Sequence, residues 1–442
     1  MLLLWALGTI ERYMKRKTRY IIILSGFLLF CVLAPVILLY VQGITYNFTQ
    51  NKTAKTGILA IKTDPKGANL LLNDSLKDST PTSIHFVNPG EYVLRVEKAG
   101  YQSWQKRLEV KAGKVTWVNP NPNPLVLYFA EPKKIILNSG IDWFWVQHEH
   151  IFALANNQLV VMSQSNPSVS ETSTLPGKGV LVLPSPSGAA ALVRGENFVL
   201  IFDSSNKQQT LLPTSLVKAS KITWLNEDTL LSLENGTLYS VAWQTGEHVA
   251  VRSHVQSFES LDNLMYSLES IHNSLRLVTF EANNAAANVQ VQLENMPNFS
   301  HPELLVTKQK QVFILADGTV YKVNSSLTPL RSNVNVWNYN PDDNSLVFAS
   351  GGELSYYNFF DNQVKLVTRS TKPVVKSLLR SDLATAFILQ NDTLWASELD
   401  NRDHQNSFAL FHSGDLKNFT LDSSGRKLLA LDGTNLIELV IR

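Results

Sequence analysis

The chain has 442 residues, 44% of them hydrophobic and 17% charged, so it is too long for one ordinary domain and too apolar for general disorder. Arg12, Lys15, Arg16, Lys17 and Arg19 against Glu11 give the first 19 residues a net charge of +4, while the remainder holds 34 basic and 36 acidic residues. That near-neutral body lacks the basic footprint that nucleic acid requires, and a single cysteine, Cys31, excludes an intrachain disulfide or a cysteine-based metal site.

Residues 1–19 read as a short cytoplasmic tail. Within it Met14 opens MKRKTRY, an ordinary basic leader, so Met14 is an alternative start to Met1. Tyr20 to Val41 is a run of 22 residues without a charge. At ~1.5 Å per residue a helix of that length spans a ~30 Å hydrocarbon core. Tyr20 and Tyr40 sit at its two ends, where amphipathic rings favour the interface. The run is too long for a cleaved signal peptide and no Ala-x-Ala site follows it. Phe30 stands where a lipoprotein signal needs a small residue before Cys31. The expectation is an uncleaved transmembrane helix over 20–42, with Pro35, a kink-forming residue that membranes tolerate, inside it. The basic cluster on its N-terminal side predicts a cytoplasmic N-terminus and an extracytoplasmic body.

Residues 43–56, ending in the polar YNFTQNKTAKT, read as a linker. From Gly57 short strands recur about every ten residues: GILAIKT, NLLLND, SIHFV, EYVLRVEKAGY, WQKRLEV and KVTWVN. That spacing predicts a small all-β sandwich over 57–127. Pro65-Lys66-Gly67-Ala68, Thr80-Pro81, Pro89-Gly90 with Tyr92, and Gly100-Tyr101 punctuate it. These landmarks resemble the PEGA domain family, with Lys66 in place of the family's Glu at a turn position whose side chain should face solvent. The resemblance implies an extracytoplasmic sandwich for binding or spacing, without catalytic residues. Tyr92 and Tyr101 are expected in its core.

The Pro-punctuated NPNPNPLVLYFAEP at 119–132 marks a boundary. Beyond it two turns alternate. The first joins an aromatic or apolar strand to a very apolar one: PSPSGAAALV, NPDDNSLVFA and LDSSGRKLLAL. The second is a tight hairpin: LENGTLYSV, LADGTVYKV and LDGTNLIEL, with Asn156-Asn157, Gly351-Gly352 and Asn391-Asp392 in the same place elsewhere. Inner strands then start near 142, 181, 222, 258, 301, 334, 374 and 416. A period near ~40 with four strands per unit predicts a seven- or eight-bladed β-propeller over 131–442. The unit at 258–300 is the least regular. The last unit supplies three strands, and KKIILN at 133–138 is expected to close the ring as its fourth. The region loosely resembles bacterial propellers whose repeats carry Ser-Pro-Asp-Gly turns. The fold class is therefore all-β: one N-terminal transmembrane helix, a small PEGA-type β-sandwich, then the propeller.

No phosphate loop, nucleophile elbow or zinc-protease motif is present. No catalytic, cofactor-binding or metal-ligating residue is assigned and no cofactor is expected. His148 and His150 are spaced as two ligands on one strand face, but without a third they read better as a hairpin tip. Asp342-Asp343 reads better as turn chemistry than as a catalytic pair. Of Trp143, Trp145, Trp224, Trp243, Trp337 and Trp395, most should pack between blades, leaving one or two for a carbohydrate or peptide platform at the channel mouth. The expected function is non-enzymatic: a single-pass, membrane-anchored extracytoplasmic binding or scaffold protein of the bacterial cell envelope. Its partners would be an envelope protein or a cell-wall or surface glycan, not nucleic acid. The alternative is an envelope enzyme, a glycan hydrolase or lyase, with its site in the propeller channel.

Overall fold

A computed structural model describes residues 16–41, 44–47, 52–119, 123–167, 170–262, 264–272, 274–281, 284–293, 299–341, 343–422 and 424–442. Met1 and Met14 both lie outside these residues. The uncharged run forms the helix Arg16–Val41, with Pro35 inside it. Its stretch Tyr20–Leu38 has a mean hydropathy of 2.9 and is not buried by the rest of the chain. By length and composition the helix can cross a membrane.

Part of the expected linker forms strands. Ile44–Asn47 pairs antiparallel with Lys52–Lys55. An antiparallel ladder needs only backbone donors and acceptors, so this hairpin left no apolar period to read.

The chain divides into two compact units. The first takes in the residues through Ala99, Ser103–Leu127 and the short segment Arg402–His404. In it Gly57–Ile61 lies between antiparallel Thr82–Val87 and parallel Val115–Trp117. A four-stranded sheet runs in the order Ser75–Ser79, Asn69–Leu72, Gly90–Glu97, Trp104–Val110. Leu59 and Ile61 from one sheet and Leu70, Leu94, Val96, Trp104 and Leu108 from the other are buried. Trp104–Val110 alternates strictly between buried and exposed, which carries Lys106 to a buried position, its ammonium 5.9 Å from the Trp104 ring. Ser75–Ser79 was not expected as a strand, because all five of its residues are exposed and it lacks apolar alternation. Lys66 points outward as expected, and Gly67 has φ +73°, a conformation glycine adopts without strain. Tyr92 and Tyr101 do not reach the core; both are half-buried. The Tyr92 hydroxyl donates to the Asn88 carbonyl at 2.9 Å, and Tyr101, grouped with the second unit, stacks on Phe129 at 4.7 Å. A hydroxyl at the strand edge finds its acceptor in the turn rather than inside.

The second unit contains eight four-stranded antiparallel sheets among the described residues. Their inner strands begin at Trp143, Gly179, Lys221, Val255, Glu303, Val336, Val374 and Leu416 and define blades 1 to 8. Blade 4, the irregular repeat, is complete, with strands of 7, 8, 8 and 10 residues. In blade 8, Lys133–Ser139 pairs with Asn435–Val440 as the fourth strand, so the two ends of the region share one sheet. Buried apolar clusters join the blades in turn. Leu154, Val182 and Val193 link blades 1 and 2; Leu192, Ile222 and Leu230 link 2 and 3; Leu233, Phe258 and Val278 link 3 and 4. Leu268, Leu304 and Ile314 link blades 4 and 5; Phe313, Leu346 and Tyr357 link 5 and 6; Val347, Val374 and Ile388 link 6 and 7. Phe144, Ile151, Leu429 and Leu436 join blade 8 back to blade 1, and Lys376 of blade 7 reaches Asn418 of blade 8 by a hydrogen bond, which closes the ring.

The tight hairpins fall where their residues dictate. Asn235-Gly236 and Asp317-Gly318 have positive φ at both positions, as a type I′ turn requires. The third copy is shifted: Asp432 pairs with Asn435, so its turn is Gly433-Thr434 rather than Asp-Gly. There Asp432 stays in the ladder and accepts an ion pair from Lys134 of the closing strand at 2.6 Å.

Candidate functional site

The inner strands of a propeller line its central channel, so their side chains decide what the ring presents there. Several are engaged across blades. Lys221 Nζ donates to the Phe258 carbonyl at 2.7 Å, pairs with Glu259 at 2.8 Å, and sits 5.0 Å from the Phe258 ring. Lys376 holds the same register in blade 7: each lysine faces the residue two before its hairpin, Leu233 and Leu389. Its Nζ donates to Asn418 Oδ1 at 2.7 Å and lies 5.8 Å from the Phe419 ring. Lys376 has no carboxylate ion pair among the described residues, and burial pushes its ammonium down to about 8. Asn338 Nδ2 donates to the Ser377 carbonyl at 3.1 Å. The sequence carries a signal for these lysines that the repeat pattern does not use: a Lys followed about one blade later by a Phe.

Turn residues form clasps between blades, Asp343 of the Asp342-Asp343 pair among them. Asp343 accepts from the Ser381 N–H at 2.6 Å and its hydroxyl at 2.9 Å, and burial holds its carboxyl above the usual range. Glu227 accepts from the N–H and hydroxyl of Ser187 at 2.6 and 2.9 Å. Asp342 lies outside the described residues. Beside Asp343, Arg380 grips Asp382 with two bonds of 2.9 and 2.7 Å, which lowers the Asp382 carboxyl. His148 occupies the hairpin tip with φ +49°, its Nε2 2.8 Å from the Pro186 carbonyl, and the His150 ring lies 6.0 Å from that of Phe152. Among the described residues no three His, Cys, Asp or Glu side chains come together as a metal site.

The tryptophans separate into two kinds. Trp224, Trp243 and Trp337 donate their indole N–H to Leu183 O, Glu227 O and Glu303 Oε2, at 2.8, 2.9 and 2.6 Å. Trp143 and Trp395 pack against the clusters between blades 1 and 2 and blades 6 and 7. Trp145 differs: it is 42% exposed on the inner strand of blade 1 and stacks on Trp143 at 5.9 Å and 18°. The described residues also line clefts. One of about 740 Å3 in the first unit is lined by Glu91, Arg107, Glu109, Lys111, Lys114 and Trp117 among others. One of about 370 Å3 lies between blades 5 and 6 beside Arg331 and Asn333.

Residues 56–123 match the PEGA domain family. No curated protein sequence matches the chain. Among solved structures, a eukaryotic initiation factor is 9% identical, with 73% of this chain and 87% of that one covered at a TM-score of 0.50. The WD40 repeats of RRP9 are 11% identical, covering 71% and 100% at 0.42. PorZ, a surface component of the type-IX secretion system of Porphyromonas gingivalis, is 14% identical at 0.41; the match covers 68% of this chain and 42% of PorZ. These likenesses concern the fold.

Proposed function

We propose that the chain is a membrane-anchored, extracytoplasmic binding or scaffold protein of the bacterial cell envelope. It has no catalytic role and recognises a protein or glycan through its ring and its PEGA-type domain. One observation carries this reading: many of the polar groups that would serve chemistry in the channel are committed to neighbouring blades. Lys221, Asn338 and Lys376 reach across the inner strands, Asp343 holds a turn of the next blade, and Glu227 holds one of the preceding blade. A group held in a structural bond is poorly placed to exchange protons with a substrate. The helix Arg16–Val41, with its basic residues N-terminal, supports the anchored orientation.

Protease added to intact spheroplasts is expected to remove the body and leave a short protected anchor; full protection of the body contradicts the orientation. Affinity capture with the detergent-solubilised chain from envelope extract is expected to retain a protein or glycan specifically. The second reading, an envelope glycan hydrolase or lyase, draws on Asp343, whose carboxyl burial raises near Arg380 and Asp382. Release of reducing ends or unsaturated sugars from wall polysaccharide, abolished by Asp343→Asn, would replace the binding reading with this one.

A further inference from the structure

We infer that Trp143 and Trp145 form a sugar-stacking platform in the channel of the ring, and that its ligand is an uncharged pyranose chain of an envelope glycan. The inference rests on the binding reading above and names the class of ligand. Trp143, Trp145 and Gln147 alternate along one inner strand and so share a face. Trp143 is anchored against the core between blades 1 and 2, and Trp145 lies over it with the two ring planes 18° apart. This makes a flat aromatic surface on a rigid base.

Trp145 is also the one of the six repeat-region tryptophans left 42% exposed, and its indole N–H has no protein acceptor among the described residues. Three of the other five spend theirs inside the fold. An exposed ring with an unused donor can take both the C–H face and a hydroxyl of a sugar. Two residues along a strand advance ~6.6 Å, so the amide of Gln147 stands about one sugar ring beyond Trp145. That amide is held in place by its bond to the Pro186 carbonyl at 3.3 Å. Asp142 and Glu149, both exposed, flank the strand, as does the exposed His148, and no Lys or Arg lies on it. Acidic sugars are therefore disfavoured and neutral or N-acetylated ones favoured.

The test uses the full chain in a non-glycosidic detergent, since a glucoside head group would compete. Hexamers of β-1,4-linked N-acetylglucosamine and glucose are titrated by calorimetry. At least one is expected to bind saturably, about tenfold more weakly to Trp145→Ala, with an intermediate loss in Trp145→Phe and none in Phe360→Ala. Phe360 is 96% exposed and remote from the inner strands, so it controls for loss of any surface ring. Unchanged melting of Trp145→Ala would show that the loss is one of contact. Absence of binding by both hexamers, equal binding by Trp145→Ala, or stronger binding of a galacturonate hexamer overturns the inference. If envelope extract still yields a protein captured equally by the parent and Trp145→Ala, the general binding reading survives while the glycan platform fails.

Discussion

Lys376 sits where its charge is a liability. Its folded value of about 8 lies below the ordinary 10.5, so the folded state holds the proton less tightly than the unfolded chain does. The resulting cost is fully present below about pH 8 and fades as pH rises towards 10.5. A gap of that size corresponds to a cost on the order of 3 kcal/mol. Lys376→Met is therefore expected to melt above the parent at pH 7, with the advantage shrinking at pH 9 and again at pH 10; an advantage independent of pH would contradict this. Asn418 does not lose all its work in the variant, because its Oδ1 also accepts from the Phe419 N–H at 2.9 Å. A second contrast lies in the Gly351-Gly352 hairpin. A side chain at Gly352 would meet the Ser370 and Lys372 carbonyls at 2.0 and 2.6 Å, whereas Gly351, with φ +59°, has nothing within 4 Å. Gly352→Ala is expected to lose ~1–3 kcal/mol in denaturant titration, and Gly351→Asn far less, since Asn tolerates the left-handed region.

The outer strands carry a device that binary patterning hides. In blades 3, 5, 6 and 7 the outer strand gains one residue in a β-bulge: Val251, Leu330, Val367 and Leu410. Val367 and Leu410 are almost wholly buried, and Val251 and Leu330 pack against the inter-blade clusters. The bulge re-aims an apolar side chain from an otherwise exposed strand into the gap between blades. It also breaks the alternation, which is why QVKLVTR at Gln363–Arg369 does not read as amphipathic. Leu410→Ala is expected to destabilise the ring by ~2–5 kcal/mol. Leu366→Ala, at a position 43% exposed beside a buried bulge residue, should stay within about 0.5 kcal/mol. Thermal melts of the two variants separate the roles, and equal shifts would remove the bulge from the account.

For the ring as a whole, closure depends on a strand borrowed from the front of the region. Lys133–Ser139 covers the free edge of Asn435–Val440, and Lys134 ties it to Asp432. Without it blade 8 exposes an unpaired edge, the usual template for aggregation. Deleting 131–139 is expected to lower the melting temperature of the ring and promote aggregation, whereas deleting 46–56 should leave the ring's transition in place. Similar behaviour of the two deletions would favour an open array of sheets.

Much of this architecture was written locally. The uncharged run, the spaced PEGA landmarks, the ~40-residue period and the Asn-Gly and Asp-Gly hairpins each rest on a property of a few neighbouring residues, so each could be read without knowing what packs against what. The closing strand was legible because the last repeat was visibly one strand short. Other features depended on partners far along the chain. The repeat length alone left seven or eight blades open; eight followed once blade 4 proved complete and blade 8 packed against blade 1 through Phe144 and Leu429. Lys376 and Lys221 look alike as lysines, and only the blade that follows each supplies Glu259 to one and Asn418 to the other. Trp143 and Trp145 were two of six equivalent candidates. Burial and an indole acceptor are set by the neighbouring blade, so only the folded ring could distinguish an exposed, stacked tryptophan from those holding the blades together.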